Sequence, residues 1–285
     1  MLRLPAFLFI FLGSTILMAE TRDELRKALT FYASFDEEVR GDFGGGGLIA
    51  AAREGDPAKP SEFVFKKGFD SKVFRIAKDK GVRGGALEAT DVLPNRGRIY
   101  FPAQGNLAYR RGGWSGAASY WLNLDPNTQL KTPFCDPIQI TQNGANNGGI
   151  WTDFPDSNPR DFRLGAFPAA KEGEKPISES DPQAPLIWVK QVDFKQGRWR
   201  HIVMNWRNFD SGKPDAETEL FIDGKSQGTL RGRELAMNWN VEKTGIYVAV
   251  NYVGLLDELA LFDRPLTAAE IALLGEHPEV LAQPK

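Results

Sequence analysis

The segment near the C-terminus, residues 254–274, constrains the fold more than any other part of the chain. It reads GLLDELALFDRPLTAAEIALL and predicts a strand, a tight exit and a helix. Alternation along the strand places Leu255, Leu259 and Leu261 on one face. Asp257 falls on that same face, and a carboxylate on a buried face needs a cation or several hydrogen-bond donors. We therefore expect Asp257 to have a structural role or to bind a metal ion.

The helix of this segment has a clear start. Thr267 and Glu270 have the spacing of a capping box, in which each side chain accepts a hydrogen bond from the backbone N–H of the other residue. Gly275 is predicted to end the helix. Residues 275–285 include two prolines and are expected to form a loose tail.

Between residues 29 and 262 the chain consists of short alternating segments separated by glycine and proline. Residues 117–124, AASYWLNL, are typical of a half-buried strand, and Asp223-Gly224 is typical of a type I′ hairpin turn. Many short strands without a helical period predict an all-β sandwich or barrel. Residues 132–186 are rich in proline, glycine and asparagine, so we expect irregular inserted loops there, where function often resides.

The N-terminus has the pattern of a secretory signal peptide over residues 1–19. Arg3 precedes the apolar stretch 6–18, and Ala19 is a small residue suited to cleavage. The stretch is too short for a membrane span, so we expect a secreted or periplasmic protein with no stable span after cleavage. The alternative is an uncleaved N-terminal anchor. Residues 20–28 are expected to be a linker or a short helix before one domain, 29–274.

Composition excludes several classes of function. The net charge is −2 without a long run of one sign, so nucleic acid is not an expected partner. Cys135 is the single cysteine, which excludes an intrachain disulfide and a zinc site built on thiolates. With His201 and His277 as the two histidines and no GxSxG motif, a nucleophile–base triad has little support.

Four segments resemble laminin-G-like domains of the concanavalin A-like jelly-roll superfamily. They are GRWRHIV at 197–203, ELFIDG at 219–224, LDELALFDRPLTAAEI at 256–271 and FYASFD at 31–36. They are similar to a strand, a hairpin, the closing motif and the opening strand of those domains. The resemblance implies two antiparallel sheets in a jelly-roll sandwich with a short C-terminal helix.

The resemblance also implies a structural calcium ion near the closing strand. Asp257 is the residue carried over as a ligand, and Asp36 is a second, weaker candidate, with backbone carbonyls near 36–38 as companions. Calcium takes six to eight oxygens, so Asp257 alone does not define a site. The alternative is that Asp257 accepts backbone N–H groups or pairs with an arginine, and that Asp36 lies in an exposed turn.

The fold does not decide the function, because it hosts lectins, adhesion modules, glycoside hydrolases and polysaccharide lyases. Hydrolases of this superfamily carry a Glu-x-Asp-x-x-Glu strand that places three carboxylates on one face. This sequence has no such string, and Glu217-Thr-Glu219 lacks the third member. We assign no catalytic residue and lean towards a non-catalytic protein.

A carbohydrate site is expected around the Asn/Gly-rich segment 143–149. Aromatic rings stack on the C–H faces of sugars while amides and carboxylates bind the hydroxyls. The predicted site residues are Asn146, Asn147, Trp151 and Asp153. The alternative is that Trp151 lies within the sandwich, since tryptophan is mostly buried. We therefore predict a recognition protein that binds glycan, with a polysaccharide-acting enzyme or an adhesion protein that binds another extracellular protein as alternatives.

Overall fold

The computed structural model of the protein describes residues 7–55, 64–69 and 72–282. The first six residues of the predicted signal peptide and the last three of the predicted tail lie outside these ranges. Within the described residues the helices are α1 Phe7–Ala28, α2 Pro126–Gln129 and α3 Ala268–Glu276. The strands, in chain order, are β1 Leu29–Ala33, β2 Phe43–Gly44, β3 Ala51–Glu54, β4 Val64–Lys67, β5 Phe74–Ala77, β6 Ala86–Ala89, β7 Arg98–Pro102, β8 Trp114–Asn123, β9 Cys135–Thr141, β10 Gly149–Phe154, β11 Phe162–Phe167, β12 Leu186–Val189, β13 Arg200–Phe209, β14 Ala216–Ile222, β15 Lys225–Arg233, β16 Gly245–Val250 and β17 Gly254–Phe262.

These strands form two antiparallel sheets, as the sequence predicted. In the described part of the chain, sheet A has nine strands along the path β15-β14-β13-β8-β17-β1-β2, with β6 paired to β17 and β5 to β6. Sheet B has eight strands in the order β12-β11-β10-β9-β16-β7-β3-β4. The crossed strand order is that of a jelly-roll sandwich, and the predicted fold class is confirmed.

The hydrophobic core lies between the two sheets because alternate residues of each strand point inwards. In β13, Ile202, Met204 and Trp206 belong to this core. In sheet B, Ile138 of β9 and Ile150 of β10 also belong to this core. The residues between them face outwards, and on sheet B this outer face carries the polar and aromatic groups described below.

The expectation of irregular loops over 132–186 is corrected by the structure. Strands β9, β10 and β11 lie within this range and occupy the interior of sheet B. Every residue of the three strands is buried, so both faces of each strand are covered. A strand covered on both faces lacks the apolar–polar alternation by which strands are recognised in sequence.

The end of helix α1 and the described part of the tail pack together on the outer face of sheet A. Leu25 and Ala28 of α1 and Val280 of the tail belong to one apolar cluster with α3. The Arg26 guanidinium donates to the carbonyls of Val280 at 3.3 Å and Ala282 at 2.9 Å. Residues 20–28 are therefore helical and docked, and the described part of the tail is packed rather than loose. Among the described residues, none of the helices has both the length and the apolar character needed to cross a membrane.

Helix α3 begins as predicted but ends later. Thr267 and Glu270 form the complete capping box. The helix continues through Gly275 to Glu276, and His277 is its C-terminal cap. Asp223 and Gly224 both have positive φ, as a type I′ turn requires, between β14 and β15.

A β-bulge in β17 corrects the predicted face of Asp257. The register of β17 against β8 shifts between Asp257 and Ala260, and Glu258 has φ of 51°. The extra residue breaks the alternation. Leu259 and Leu261 therefore belong to the core, whereas Asp257 lies outside it, buried beneath the β5–β6 connection.

Candidate functional site

The outer face of sheet B gathers polar and aromatic side chains that lie far apart in sequence. Tyr247 of β16 pairs with Tyr100 of β7 on one side and with Gln139 of β9 on the other. Gln139 in turn pairs with Trp151 of β10. Because paired residues of antiparallel strands project to the same side, these four side chains form a continuous row across the sheet.

A cavity of about 400 Å³ opens at one end of this row. Its walls include Arg53, Tyr100, Gln142, Asn143 and Tyr247. The two tyrosine rings have centroids 5.4 Å apart and planes tilted by 43°. The Arg53 guanidinium carbon lies 4.5 Å from the centroid of the Tyr247 ring, a cation–π contact. The cavity therefore combines aromatic surface with amides and a cation.

A second bulge places Asp136 on this face. Thr152 pairs with Ile138 but Phe154 pairs with Cys135, so β9 has one extra residue at this point. Such a bulge re-aims a side chain, and Gln139 Nε2 donates to Asp136 Oδ2 at 2.7 Å. Burial, followed by the nearby Asp153 carboxylate, raises the pKa of Asp136 well above its ordinary value. Asp136 therefore binds a proton more readily than an exposed aspartate does.

Arg163 of β11 is the centre of the charged network. Its Nε and Nη2 donate to the two oxygens of Asp153 at 2.9 and 2.6 Å. Its Nη2 also donates to Glu179 Oε2 at 2.6 Å. Burial raises the pKa of Asp153 to about 6, against the lowering effect of Arg163. Burial thus makes both Asp136 and Asp153 easier to protonate than exposed aspartates.

Trp151 lies below the surface of the site. Only 1% of the residue is exposed, its Nε1 donates to the Ala145 carbonyl at 3.0 Å, and its ring stacks on Phe167 at 5.7 Å. A Cβ at Gly165 would lie 2.3 Å from the Trp151 ring, so the ring covers a position where only glycine fits. The expectation of Trp151 as an exposed stacking surface is corrected: its indole holds the 143–148 connection in place.

The other predicted site residues lie near each other. Asn146 Nδ2 donates to Glu179 Oε1 at 3.0 Å, and Glu179 connects it to Arg163 and so to Asp153. Asn147 Oδ1 accepts from the Ala170 N–H at 2.9 Å and anchors the connection between β11 and β12. Asn146, Trp151 and Asp153 thus belong to one network, while Asn147 supports its edge.

Exposed aromatic residues flank Arg163, and sequence reasoning did not assign them to the site. Trp188 of β12 is 44% exposed and Phe134 is 47% exposed. Their ring centroids lie 4.8 and 5.8 Å from the Arg163 guanidinium carbon. Trp188 pairs with Arg163 between β11 and β12 and faces outwards, and this position identifies it as a residue of the candidate site.

The calcium prediction fits the structure at Asp257 better than at Asp36. Asp257 Oδ2 accepts from the Val82 N–H at 2.8 Å, while Oδ1 is buried without a hydrogen-bond donor among the described residues. Asp36 already accepts from Arg83 Nη2 at 2.9 Å and from the Gly85 N–H at 3.1 Å. The described residues include no group of three or more side chains arranged to hold a metal ion. A cation here would depend on Asp257 Oδ1 and backbone carbonyls.

His201 is on the opposite side of the molecule from the sheet B network. It lies on the outer face of sheet A, stacked on Trp121 at 4.8 Å, with Nε2 2.8 Å from Ser119 Oγ. Burial lowers the pKa of His201 to about 4, so the ring is neutral at pH 7. Its Nδ1 has no partner among the described residues, so the Ser119–His201 pair lacks the third member of a triad.

The two antiparallel sheets with their crossed strand order define a concanavalin A-like jelly-roll protein. A family model described as the concanavalin A-like lectin/glucanases superfamily matches residues 115–272, and the chain belongs to this family. No curated protein is similar enough in sequence to count as a match.

Solved structures share the fold at low sequence identity. Domain 4 of AbnA, a GH43 extracellular arabinanase from Geobacillus stearothermophilus solved with arabinotriose, is 17% identical with a TM-score of 0.51, over 87% of this chain and 98% of that one. The binding domain of botulinum neurotoxin DC, solved with rat synaptotagmin II, is 12% identical with a TM-score of 0.55, over 88% of this chain and 52% of that one. The binding domain of botulinum neurotoxin serotype D is 10% identical with a TM-score of 0.54, over 90% of this chain and 53% of that one. This chain thus corresponds to about half of each neurotoxin domain, and the similarity establishes the fold alone.

Proposed function

We propose that this protein is a non-catalytic carbohydrate-binding domain and that glycan binds on the outer face of sheet B. The observation that carries the proposal is the cavity of about 400 Å³ in which Tyr100 and Tyr247 stand beside Gln142 and Asn143. Sugar rings stack their C–H faces on aromatic rings, and amides bind their hydroxyls. The volume is within the range of small-molecule sites, about 300–1,000 Å³.

The structural neighbours support a glycan as the ligand. The GH43 domain 4 was solved with arabinotriose, and a serotype D neurotoxin domain was solved with N-acetylneuraminic acid. A type C neurotoxin is described as entering cells through two ganglioside molecules. The neurotoxin DC domain was solved with a protein, synaptotagmin II, so a protein ligand is the alternative outcome of the test.

The test is a binding assay against a panel of oligosaccharides, with the wild type and two variants. Tyr100→Ala removes a ring from the cavity wall and is expected to weaken binding about tenfold, near the upper end of a single aromatic contact. Phe43→Ala removes a ring that is 37% exposed on sheet A and is the matched control, with binding expected to be unchanged. Equal loss in both variants, or no loss in either, would overturn the proposed location.

A polysaccharide-acting enzyme is the second candidate, because carboxyl groups do converge on this face. Environments that push the pKa values of neighbouring carboxyl groups apart are typical of acid–base pairs. Burial raises the pKa of both Asp136 and Asp153, as an acid–base role for one of them would require, although Arg163 already binds both oxygens of Asp153. Incubation with the same panel, with detection of new reducing ends, tests this candidate. Activity that disappears in Asp136→Asn would replace the binding proposal with an enzymatic one.

We also propose that one calcium ion binds at Asp257. A separate proposal is that the protein is extracytoplasmic, with its signal peptide removed after Ala19. Cleavage there leaves Leu25 and Ala28 of α1 docked against α3. N-terminal sequencing of the mature protein is expected to begin at Glu20, and detection of Met1 or Leu2 at the terminus would contradict this.

A further inference from the structure

We propose that the ligand is an acidic glycan and that its carboxylate replaces Glu179 on Arg163. This inference rests on the proposed function and specifies its ligand class. Glu179 belongs to the connection 168–185 between β11 and β12, and it reaches back onto the outer face of sheet B. Its carboxylate marks the place that a sugar carboxylate would take.

Two donors already form a receptor for one carboxylate. Arg163 Nη2 donates to Glu179 Oε2 at 2.6 Å, and Asn146 Nδ2 donates to Oε1 at 3.0 Å. Each carboxylate oxygen therefore has its own donor. Charge-assisted hydrogen bonds of this kind are the strong ones, and arginine favours carboxylates because of its planar donors.

Asn146 offers a further contact that Glu179 leaves unused. Its Oδ1 is buried and has no hydrogen-bond donor among the described residues. The bond from Nδ2 to Glu179 fixes which end of the amide is the acceptor. A carboxylate cannot donate to this oxygen, but a sugar acid carries hydroxyls beside its carboxylate. Such a ligand satisfies Asn146 Oδ1 and both donors together.

Glu179 is placed to move. The segment 171–182 is largely exposed. Among the described residues, its hydrogen bonds other than those of Glu179 join residues of the 171–184 turns to each other. The segment is held at its two ends. At one end the Ala169 N–H donates to the Ala236 carbonyl, and at the other the Arg233 guanidinium donates to the Gln183 carbonyl. Displacement of Glu179 therefore frees the middle of the segment without breaking these anchors.

The charges favour an exchange of one carboxylate for another. Arg163 is 2% exposed and is bound by Asp153 from within the site. Removing Glu179 without a replacement would leave a buried donor unsatisfied, which is costly. A ligand carboxylate restores the same charge at the same atom, and the rings of Trp188 and Phe134 beside Arg163 supply surface for the sugar ring.

The experiment is calorimetric titration with three acidic probes, each compared with its methyl ester. The probes are tetragalacturonate, a hyaluronan tetrasaccharide and 3′-sialyllactose, and the ester removes the charge while keeping the sugar. The wild type is expected to bind at least one acid more tightly than its ester. Glu179→Gln weakens the internal competitor, so it is expected to bind that acid about tenfold more tightly, the equivalent of one charge-assisted hydrogen bond. The gain in affinity for the acid is expected to exceed any gain for its ester.

Two further variants are compared: Glu174→Gln is a matched control, and Asn146→Asp changes a donor of the proposed site. Glu174→Gln removes a charge from the same exposed segment and is expected to leave the acid affinity unchanged. Asn146→Asp replaces a donor with an acceptor of negative charge and is expected to weaken binding of the acid more than binding of its ester. Arg163 is left intact because its loss would strand Asp153 and threaten folding.

The outcomes separate the two proposals. If neutral glycans bind and depend on Tyr100, but no acid is preferred over its ester or Glu179→Gln has no effect, the acidic ligand is refuted and the proposed function stands. If neither acids nor neutral glycans bind, both are refuted.

Discussion

Replacement of Trp151 by alanine tests whether this residue is part of the scaffold or part of the binding surface. In the structure its ring is covered, stacks on Phe167 and donates a hydrogen bond to the Ala145 carbonyl. If the indole is a support, its loss destabilises the fold. If it were an exposed platform for sugar, its loss would change binding and leave stability nearly unaltered.

The expected magnitude follows from burial. Truncation of a buried tryptophan to alanine costs about 3–5 kcal/mol because a cavity remains. Trp151→Phe keeps an aromatic ring but leaves the Ala145 carbonyl without its donor, and we expect a loss of about 1–2 kcal/mol. The matched control is Trp188→Ala on the same face, where the ring is 44% exposed, and there we expect a loss below about 1.5 kcal/mol.

The assay is equilibrium unfolding in urea, monitored by circular dichroism and read as the free energy of unfolding. The expected order of destabilisation is Trp151→Ala, then Trp151→Phe, then Trp188→Ala. A loss of less than about 1 kcal/mol in Trp151→Ala would refute the assignment of this residue to the scaffold.

Three further predictions concern other parts of the molecule. Gly165→Ala places a Cβ 2.3 Å from the Trp151 ring, so we expect a loss of about 1–3 kcal/mol in the same unfolding assay, and a neutral effect would contradict the close approach. The pKa of Asp136 is raised in the folded protein, so the folded state binds this proton more tightly than the unfolded chain does. The free energy of unfolding is therefore expected to fall as the pH rises above about 4. Asp136→Asn cannot titrate and is expected to make that slope less steep; an unchanged slope would show that Asp136 ionises normally. Burial, followed by the nearby Glu258 carboxylate, raises the pKa of Asp257 to about 9, and a bound calcium ion would favour its ionised form. Millimolar calcium is therefore expected to raise the melting temperature of the wild type relative to chelator, but not that of Asp257→Asn; no calcium effect in the wild type would reject this site.

The features that were predicted well from the sequence depend on residues that are close together along the chain. The capping box at Thr267 and Glu270 and the turn at Asp223-Gly224 need no tertiary context, and both are present. Many short strands predicted an all-β sandwich or barrel, and the resemblance to laminin-G-like domains selected the sandwich.

The features that sequence missed depend on long-range pairing or on bulges. Strands β9–β11 are covered on both faces, which removes the alternation that identifies strands. The bulge at Glu258 moved Asp257 away from the leucine face, and a bulge is not visible in residue spacing. Tyr100 and Tyr247 meet only because β7 pairs with β16, strands far apart along the chain. The proposed binding face could therefore not be predicted from local sequence, although Asn146 and Asp153 lie within its network.

Whether glycan binds on the outer face of sheet B is tested most directly by amide chemical-shift mapping during titration with the tightest-binding glycan from the panel. We expect the shifts to concentrate on the outer face of sheet B, in β7, β9 and β16 and in the 168–185 connection. Shifts confined to sheet A, or to α1 and α3, would contradict it.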